Sequence, residues 1–475
     1  MKLVFLGTSG SIPTAKRGLP AAALKQKEEL CSFDWEKIYL SLNTKAEYFH
    51  RSLYSLNITF SALSLPESRL VSGLQLGEEV IRLALSERDM KIEINMAENS
   101  PEVVHWFMLG EHTRIYIDKS FLTDLINRGI QEAGSQRTLA RKLSELGEYF
   151  DQPQIWRLRK GEYEGLTVHK LKALLRFFDI PYNAVDRSIR AIGGRRSIKN
   201  VRFPINMNCY AGGRLIAAAL SDGGVYLRDL NQRKLVFNYY NNDRNLINQI
   251  IKSARDLVGE AQYSYNNEKL SFSSKLIPEI LVRVGVPIGR KTLTNSYLPQ
   301  IVCHGKPETV RGHFSQVFAD EGSIWEGAIA YKRAIGLSNI LSDAYLSELE
   351  GLHWKERRTS KGTRWKNVSY AKKIEKEISN GLRNLIWSNP PKLLVNEMDK
   401  LGTCGIKATI KPTEINKTTH GYTAVWTLQI LGEENIKIFA EKIGFGCKRK
   451  QRKLEEMLER WRLRDATKKK GVAKN

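Results

Sequence analysis

Two apolar stretches of this chain end in the same way. Residues 214–225 read RLIAAALSDGGV and residues 314–323 read FSQVFADEGS. In each, a mostly apolar, helix-like run stops at an acid followed by glycine. Aligning the glycines sets Asp222 against Glu321, 99 residues apart. An isolated Asp-Gly is ordinary turn chemistry, but here the likeness continues downstream. VGVPIGRKT (284–292) has a counterpart in IGFGCKRKQ (443–451), each preceded by a helix-like run, SKLIPEIL and NIKIFAEK. The offset has grown to 159, so the second copy carries about 60 extra residues, most of them in the basic segment 354–392. The spacing predicts an internal duplication, a pseudo-twofold pair within one chain. Two helices packed across such an axis need small residues at every fourth position so that their backbones can approach, and Ala217 and Ser221 supply these in the first copy. The helices then deliver Asp222 and Glu321 side by side.

The order of elements is acid-ending helix, strands, helix, Gly-x-Pro-x-Gly-x-Lys, Leu-Pro, second acid-ending helix, strands and NIKIFAEKIGF. This order resembles the LAGLIDADG homing endonucleases, especially the prokaryotic branch with both copies in one polypeptide, over residues 205–453. The resemblance implies an α+β fold: a duplicated αββαββα core, 205–308 and 309–453, with saddle-shaped antiparallel sheets. It also implies a site-specific double-stranded DNA endonuclease, with Asp222 and Glu321 as catalytic acids and ligands of Mg²⁺ or Mn²⁺. Lys291 in the first copy and Lys450 in the second stand where the family has a basic partner. The chemistry is coherent, because two adjacent carboxylates repel unless a cation neutralises them. Mg²⁺ accepts carboxylate and phosphate oxygens, and paired metals activate water and stabilise a leaving oxygen.

The strands after each acid would form the saddle. GVYLRDL alternates Tyr226 with Arg228, and EGAIAYKRAIG offers Tyr331, Lys332 and Arg333 as DNA contacts. Two residues depart from the family pattern: Gln316 stands where the second motif usually has glycine or alanine, and Asp320 replaces a small residue one turn later. A glutamine at a helix crossing either makes a buried hydrogen bond or forces the helices apart, and left unsatisfied it costs about 1–3 kcal/mol. Degenerate members of the family bind DNA or assist RNA splicing without cutting. A DNA-binding regulator or a maturase acting on intron RNA is therefore the rival expectation.

The formal charge of +24, from 75 basic against 51 acidic residues, favours a polyanionic partner such as nucleic acid. Upstream, residues 129–190 predict an all-α domain. SQRTLARKLSELG places Leu139, Leu143 and Leu146 at helical spacing, with Ser135 as N-cap. QPQIWRLRKGE turns Ile155 and Leu158 inward, leaving Gln152, Gln154, Arg157, Arg159 and Lys160 for solvent or DNA, and TVHKLKALLRFFDI supplies a third amphipathic helix. The set resembles a helix-turn-helix of the phage-repressor type, whose second helix lies in the major groove. Glutamine and arginine suit adenine and guanine edges there. Residues 191–204, rich in glycine and charge, read as a linker.

The first 34 residues resemble the opening of a ribonuclease Z. The metal motif His-x-His-x-Asp-His is missing among the eight histidines, so that activity does not carry over. An intron-borne reading frame continuous with an upstream exon accounts for such a start. Residues 35–128 read as mixed α/β without recognisable chemistry. Residues 355–383 hold ten Lys/Arg against three acids, and 448–475 hold twelve against four. Both would add phosphate contacts. In the basic tail, 454–475, Leu454, Leu458 and Trp461 fall at i, i+4 and i+7, the pattern of a docked helix. Five scattered cysteines match no disulfide or zinc framework. With no membrane-length apolar run, the expectations are a cytoplasmic setting, no membrane partner and a monomer.

Overall fold

The computed structural model describes residues 58–62, 90–94 and 102–472, apart from stretches at 148, 163–164, 195–197, 229–234, 267, 338–339, 359–363, 370–376 and 419–420. The chain divides into two units, residues 1–99 and 100–475. In the first, β1 (Ile58–Ala62) and β2 (Met90–Ile94) pair antiparallel, Ile58 opposite Ile94. The ribonuclease-Z-like stretch 1–34 lies outside the described residues.

The second unit opens with β3 (Val103–Val104), β4 (Arg114–Ile117), α1 (Lys119–Ala133), α2 (Gln136–Glu145), α3 (Gln152–Arg159), β5 (Gly165–Thr167), α4 (Val168–Phe177), β6 (Ile189–Ile192) and β7 (Ile198–Lys199). Side chains start three of these helices, Asp118 accepting from Ser120 N–H at α1. Ser135 accepts from Thr138 N–H and Asp151 from Gln154 N–H, satisfying donors that a helix start leaves free. Leu139 and Leu143, Ile155 and Leu158, and Leu171, Leu174 and Leu175 pack into one core with Ile115 and Ile117 of β4. The sheet beneath runs β11-β7-β6-β4-β5, and β11 (Glu260–Ala261) comes from well downstream.

Three expectations are corrected here. The region is α+β rather than all-α, and the boundary at 128 falls inside α1. Residues 191–204 are not a linker: they carry the end of β6 and all of β7, with Ile192, Ile198, Val201 and Phe203 buried. The apolar residues interleaved among the charges there serve as the buried face of short strands. β8 (Ile205–Asn206) then pairs back onto β3.

Two halves follow, each an antiparallel sheet with helices. The first holds α5 (Tyr210–Leu220), β9 (Gly223–Leu227), β10 (Leu235–Tyr240), α6 (Arg244–Val258), β12 (Tyr263–Asn266), β13 (Lys269–Phe272) and α7 (Leu276–Arg283). Short helices α8 (Lys291–Thr294) and α9 (Gln300–Cys303) lead to the second. That half holds α10 (Pro307–Asp320), β14 (Ser323–Trp325), β15 (Ala328–Gly336), α11 (Asp343–Glu350), β16 (Lys355–Arg358), β17 (Arg364–Ser369), α12 (Asn380–Trp387), α13 (Lys392–Thr403), β18 (Ala408–Thr418), β19 (Gly421–Leu431) and α14 (Glu433–Lys442).

The sheets run β9-β10-β13-β12 and β14-β15-β19-β18, the same order, with β17 and β16 added at the second sheet's edge. Between the second strand and the helix before the third, the connection is residues 241–243 in the first half and 337–391 in the second. The extra length therefore enters before residue 354, the start expected from the charge run. The expected basic tail is part of α15 (Lys448–Val472), which buries Leu454, Met457 and Trp461. No helix among the described residues is long and apolar enough to cross a membrane.

α5 and α10 pack against each other at the centre. A Cβ added at Gly213 would lie 2.0 Å from the Thr309 carbonyl oxygen, and one at Gly312 would lie 2.1 Å from that of Tyr210. The backbones thus touch at two glycines that are also 99 residues apart. Gly213, Ala217 and Ser221 form one row at four-residue spacing, and Gly312, Gln316 and Asp320 form the matching row. The second row is small only at its first position.

Candidate active site

The two helices end at Asp222 and Glu321, and their carboxyls meet different partners. Asn241, just past β10, donates from Nδ2 to Asp222 Oδ2 (2.9 Å) and to the Tyr239 hydroxyl (3.3 Å). Tyr239 donates to Asp320 Oδ1 at 2.6 Å. Gln316 Nε2 donates to the same oxygen (2.8 Å) and to the Tyr239 hydroxyl (3.1 Å). The Ser221 hydroxyl reaches across the crossing to Asp320 Oδ2. Gln316 therefore makes buried hydrogen bonds through its nitrogen, while its Oε1 is left without a partner.

At the other end Arg333, on β15, donates from Nη1 to Glu321 Oε1 (2.9 Å) and to the Leu220 carbonyl that closes α5 (2.6 Å). Its Nη2 donates to Glu397 Oε1 at 3.0 Å. Glu397, from α13, also accepts from the Tyr331 hydroxyl (2.8 Å) and lies 3.2 Å from His313 Nε2. His313, Tyr331, Arg333 and Glu397 are buried, Glu321 is half-buried, and its inward Oε2 has no partner.

Each lysine caps the acid-bearing helix of its own half. Lys291 Nζ donates to the carbonyls of Ser221 and Gly223, the latter at 2.8 Å. Lys450 Nζ donates to those of Phe318 (3.1 Å), Ala319 (2.5 Å) and Asp320 (3.4 Å). A cation at a helix C-terminus satisfies orphan carbonyls and opposes the dipole. The two lysines are thus placed alike, by C-terminal capping.

Burial governs the ionisation here. It pushes Asp320 up to about 8, with the Asp222 charge adding, and Glu321 up to about 7 against the pull of Arg333 and Lys291. Asp222 is raised by the same cause, and Lys291 is lowered to about 8. Glu397 is the exception: burial would raise it, but Arg333 and His313 hold it at about 2. A buried oxygen without a donor, on a carboxyl held partly protonated by its surroundings, is a place where a cation gains what a proton now supplies. Glu321 fits a divalent ion in that sense, and Asp222, half-buried and likewise raised by burial, offers a second carboxyl. Among the described residues no three such side chains enclose an ion by themselves. Mg²⁺ held by one or two carboxylates together with phosphate oxygens needs no such cage. A cavity of about 390 Å³ opens beside Glu321, lined in part by Ser221, Lys291, Lys332 and Arg333.

Two proposed DNA contacts are corrected. Tyr331 and Arg333 are 1% and 8% exposed and serve the Glu397 network, so neither faces a ligand on the sheet. Consecutive strand residues point to opposite faces, so Tyr331, Lys332 and Arg333 could never share one. Lys332 is exposed and pairs with Glu414 at 2.5 Å. It lies in register with Thr427 and, beyond it, Lys411, and the next row is Ala330, Gln429 and Thr409. These positions on β18 and β19 gave no sequence signal, because the acid-glycine motif marks only the strand directly after it. In the first half Tyr226 is half-buried, in register with Val236, and Arg228 is exposed just past β9. On α3, Gln152, Arg157, Arg159 and Lys160 are exposed, while Gln154 accepts from Lys170 at 2.8 Å. Glu397, Asn241 and Tyr239 likewise carried no signal, since each works through residues distant in the chain or outside any motif.

No family model matches this chain, and no curated protein matches it. Among solved structures, it is similar to a variant of the homing endonuclease I-DmoI in complex with its target DNA in the presence of Mg, at 13% identity and a TM-score of 0.28, covering 50% of this chain and 97% of that one. A complex of I-DmoI with DNA and Mn gives 14% identity and a TM-score of 0.26 over 50% and 97% of the two chains. A complex with DNA and Ca gives 12% and 0.25 over 50% and 90%. Likeness this loose carries no functional argument, and the function has to be read from the chemistry of the site.

Proposed function

We propose that this chain is a divalent-metal-dependent, site-specific endonuclease for double-stranded DNA, built on a duplicated LAGLIDADG-type core. One observation carries the reading: two helices packed backbone to backbone deliver one carboxyl each, Asp222 and Glu321, to adjoining ends, and each end is capped by a half-buried lysine. One acid per half gives one hydrolytic centre per DNA strand. When bound, Mg²⁺ or Mn²⁺ would supply Lewis acidity and an activated water. Asp222 and Glu321 would hold it. Lys291, with its proton held loosely by burial, is suited to donate to developing charge on the phosphate or the leaving oxygen.

DNA would lie along the exposed sheet faces, on Tyr226, Arg228, Lys332, Lys411 and Gln429. The exposed side of α3, with Gln152, Arg157, Arg159 and Lys160, adds a second footprint. Lysines and arginines there set affinity through phosphates, while glutamines read bases.

A second reading has an observation of its own. Arg333 already occupies one Glu321 oxygen, an arrangement suited to a protein that binds DNA, or intron RNA, and does not cut. The test is cleavage of a randomised-site duplex library by the full chain with Mg²⁺, beside Asp222→Asn and Glu321→Gln. Discrete double-strand cuts lost in both variants are expected. Tight, salt-sensitive binding with no cut would move the reading to the regulator or maturase.

A further inference from the structure

Asp320 is the one carboxyl at the crossing that the duplication does not call for. Its counterpart at the same offset is Ser221, and the two side chains meet each other across the helix pair. Its hydrogen bonds have a fixed direction. The amide nitrogens of Gln316 and Asn241 can only donate, so the Tyr239 hydroxyl that both reach has its own single proton to give, and gives it to Asp320 Oδ1. The lone pairs of that hydroxyl are then left for Gln316 and Asn241. Asn241 is held in the matching sense from its other side, where its Oδ1 accepts from the Asp243 N–H at 2.8 Å. Its amide nitrogen therefore faces both Tyr239 and Asp222 Oδ2. The chain Asp320–Tyr239–Asn241–Asp222 is polarised end to end, and all its members but Asp320 come from the first half. Glu321 belongs to a separate network through Arg333 and Glu397.

We infer that Asp320 is a positioning residue acting in trans: the carboxyl on the second helix orients the acid on the first through Tyr239 and Asn241. This rests on the nuclease reading above. Buried polar chains of this kind act as a unit, and partners that orient a ligating group typically matter by 10–100-fold. The effect should fall on one strand of the DNA, since only one of the two acids is wired this way.

The experiment uses the full chain and its selected duplex, labelled separately on each strand, with Mg²⁺. Tyr239→Phe, which removes one oxygen and keeps the ring in the core, and Asp320→Ala are compared with Asp320→Asn, which keeps an acceptor for the phenol. Folding is matched by thermal melting, and Tyr239→Phe remains decisive where Asp320→Ala does not fold. The expected result is slower cutting of one strand, the same strand in both variants, by about tenfold or more over the other. Asp320→Asn should return most of the rate. Equal slowing of both strands, no slowing, or Asp320→Asn behaving like Asp320→Ala would overturn the inference alone. A wild-type chain that cuts nothing would sink the nuclease reading and this inference with it.

Discussion

Asp222 meets an asparagine amide where Glu321 meets a guanidinium. The first end is wired with neutral donors, Asn241, Tyr239 and Gln316, around an additional carboxyl. The second shares one arginine between two carboxyls, Glu321 and Glu397. Two halves that place their backbones alike have therefore solved the burial of negative charge in different ways. Neutral wiring orients a carboxyl without discharging it. The guanidinium discharges it, but then competes with any other cation for the same oxygen. Around the two ends Asp222, Asp320, Glu321 and Glu397 face Lys291, Lys450 and Arg333. The remaining imbalance is met by protons on carboxyls that burial has pushed up.

The strongest challenge to this comparison is to remove each acid. Asp222→Asn and Glu321→Gln should each lower double-strand cutting by roughly 10²–10³-fold, the scale seen when a preorganised electrostatic group is lost. A gel with end-labelled duplex reads it. Full cutting by either variant would show that the ends are not the paired centres proposed.

Stability separates the two wirings. Arg333→Met strands the buried Glu397 and should cost about 3–5 kcal/mol, whereas Tyr239→Phe leaves neutral donors short of one partner and should cost about 1–3 kcal/mol. Urea midpoints give both, and equal losses would mean the guanidinium is not the keystone of its end. At the top of the crossing, where the halves are alike, Gly213→Ala and Gly312→Ala should destabilise similarly, by about 1–3 kcal/mol each, through overpacking.

Proton linkage refines the picture. Asp320 and Glu321 are raised to about 8 and about 7 from ordinary values of 3.8 and 4.5. The native state therefore keeps protons that the unfolded chain gives up. The stability they contribute is full below those ordinary values and is lost as pH rises through about 7 and 8. The melting temperature should fall between pH 5 and 8, and Asp320→Asn should flatten the fall. Lys291, lowered to about 8 from 10.5, works the other way above that point. The same linkage predicts that Mg²⁺ binding near pH 7 expels protons, visible as a buffer-dependent heat in calorimetry. The smallest effect belongs to the sheet face. Lys332→Ala should weaken DNA binding uniformly across sequences and lower the salt slope by about one.

Legibility in the sequence tracks locality. The glycine-aligned acids, the Ser135 cap and the inward Ile155 and Leu158 depend on neighbours within a turn or two, and patterns of period 3.6 expose them. The glycine pair was available in principle, since Gly213 and Gly312 share the 99-residue offset and continue the row of Ala217 and Ser221 by one turn. Gln316 and Asp320 were visible as departures, but their answer was not, because Tyr239 lies 77 and 81 residues away from them in the chain. Arg333 looked like a surface base because its partner Glu397 sits 64 residues downstream, beyond a long insertion. Residues 191–204 misled for a related reason. Short strands that pair with 114–117 and 260–261 carry too few residues to show a period of two.

That last feature bears on geometry beyond the site. Because β7 is bonded to β11 and β3 to β8, the helices that display Gln152 and Arg157 are fastened to the first half by backbone ladders instead of hanging from a tether. A tethered reader tolerates any spacing between its two contacts, but a fastened one works as a ruler. With DNA on both footprints, the base pairs between them would be measured in helical phase. Five extra pairs would turn one footprint to the far side of the duplex, while ten would turn it back but leave it a full turn out of reach.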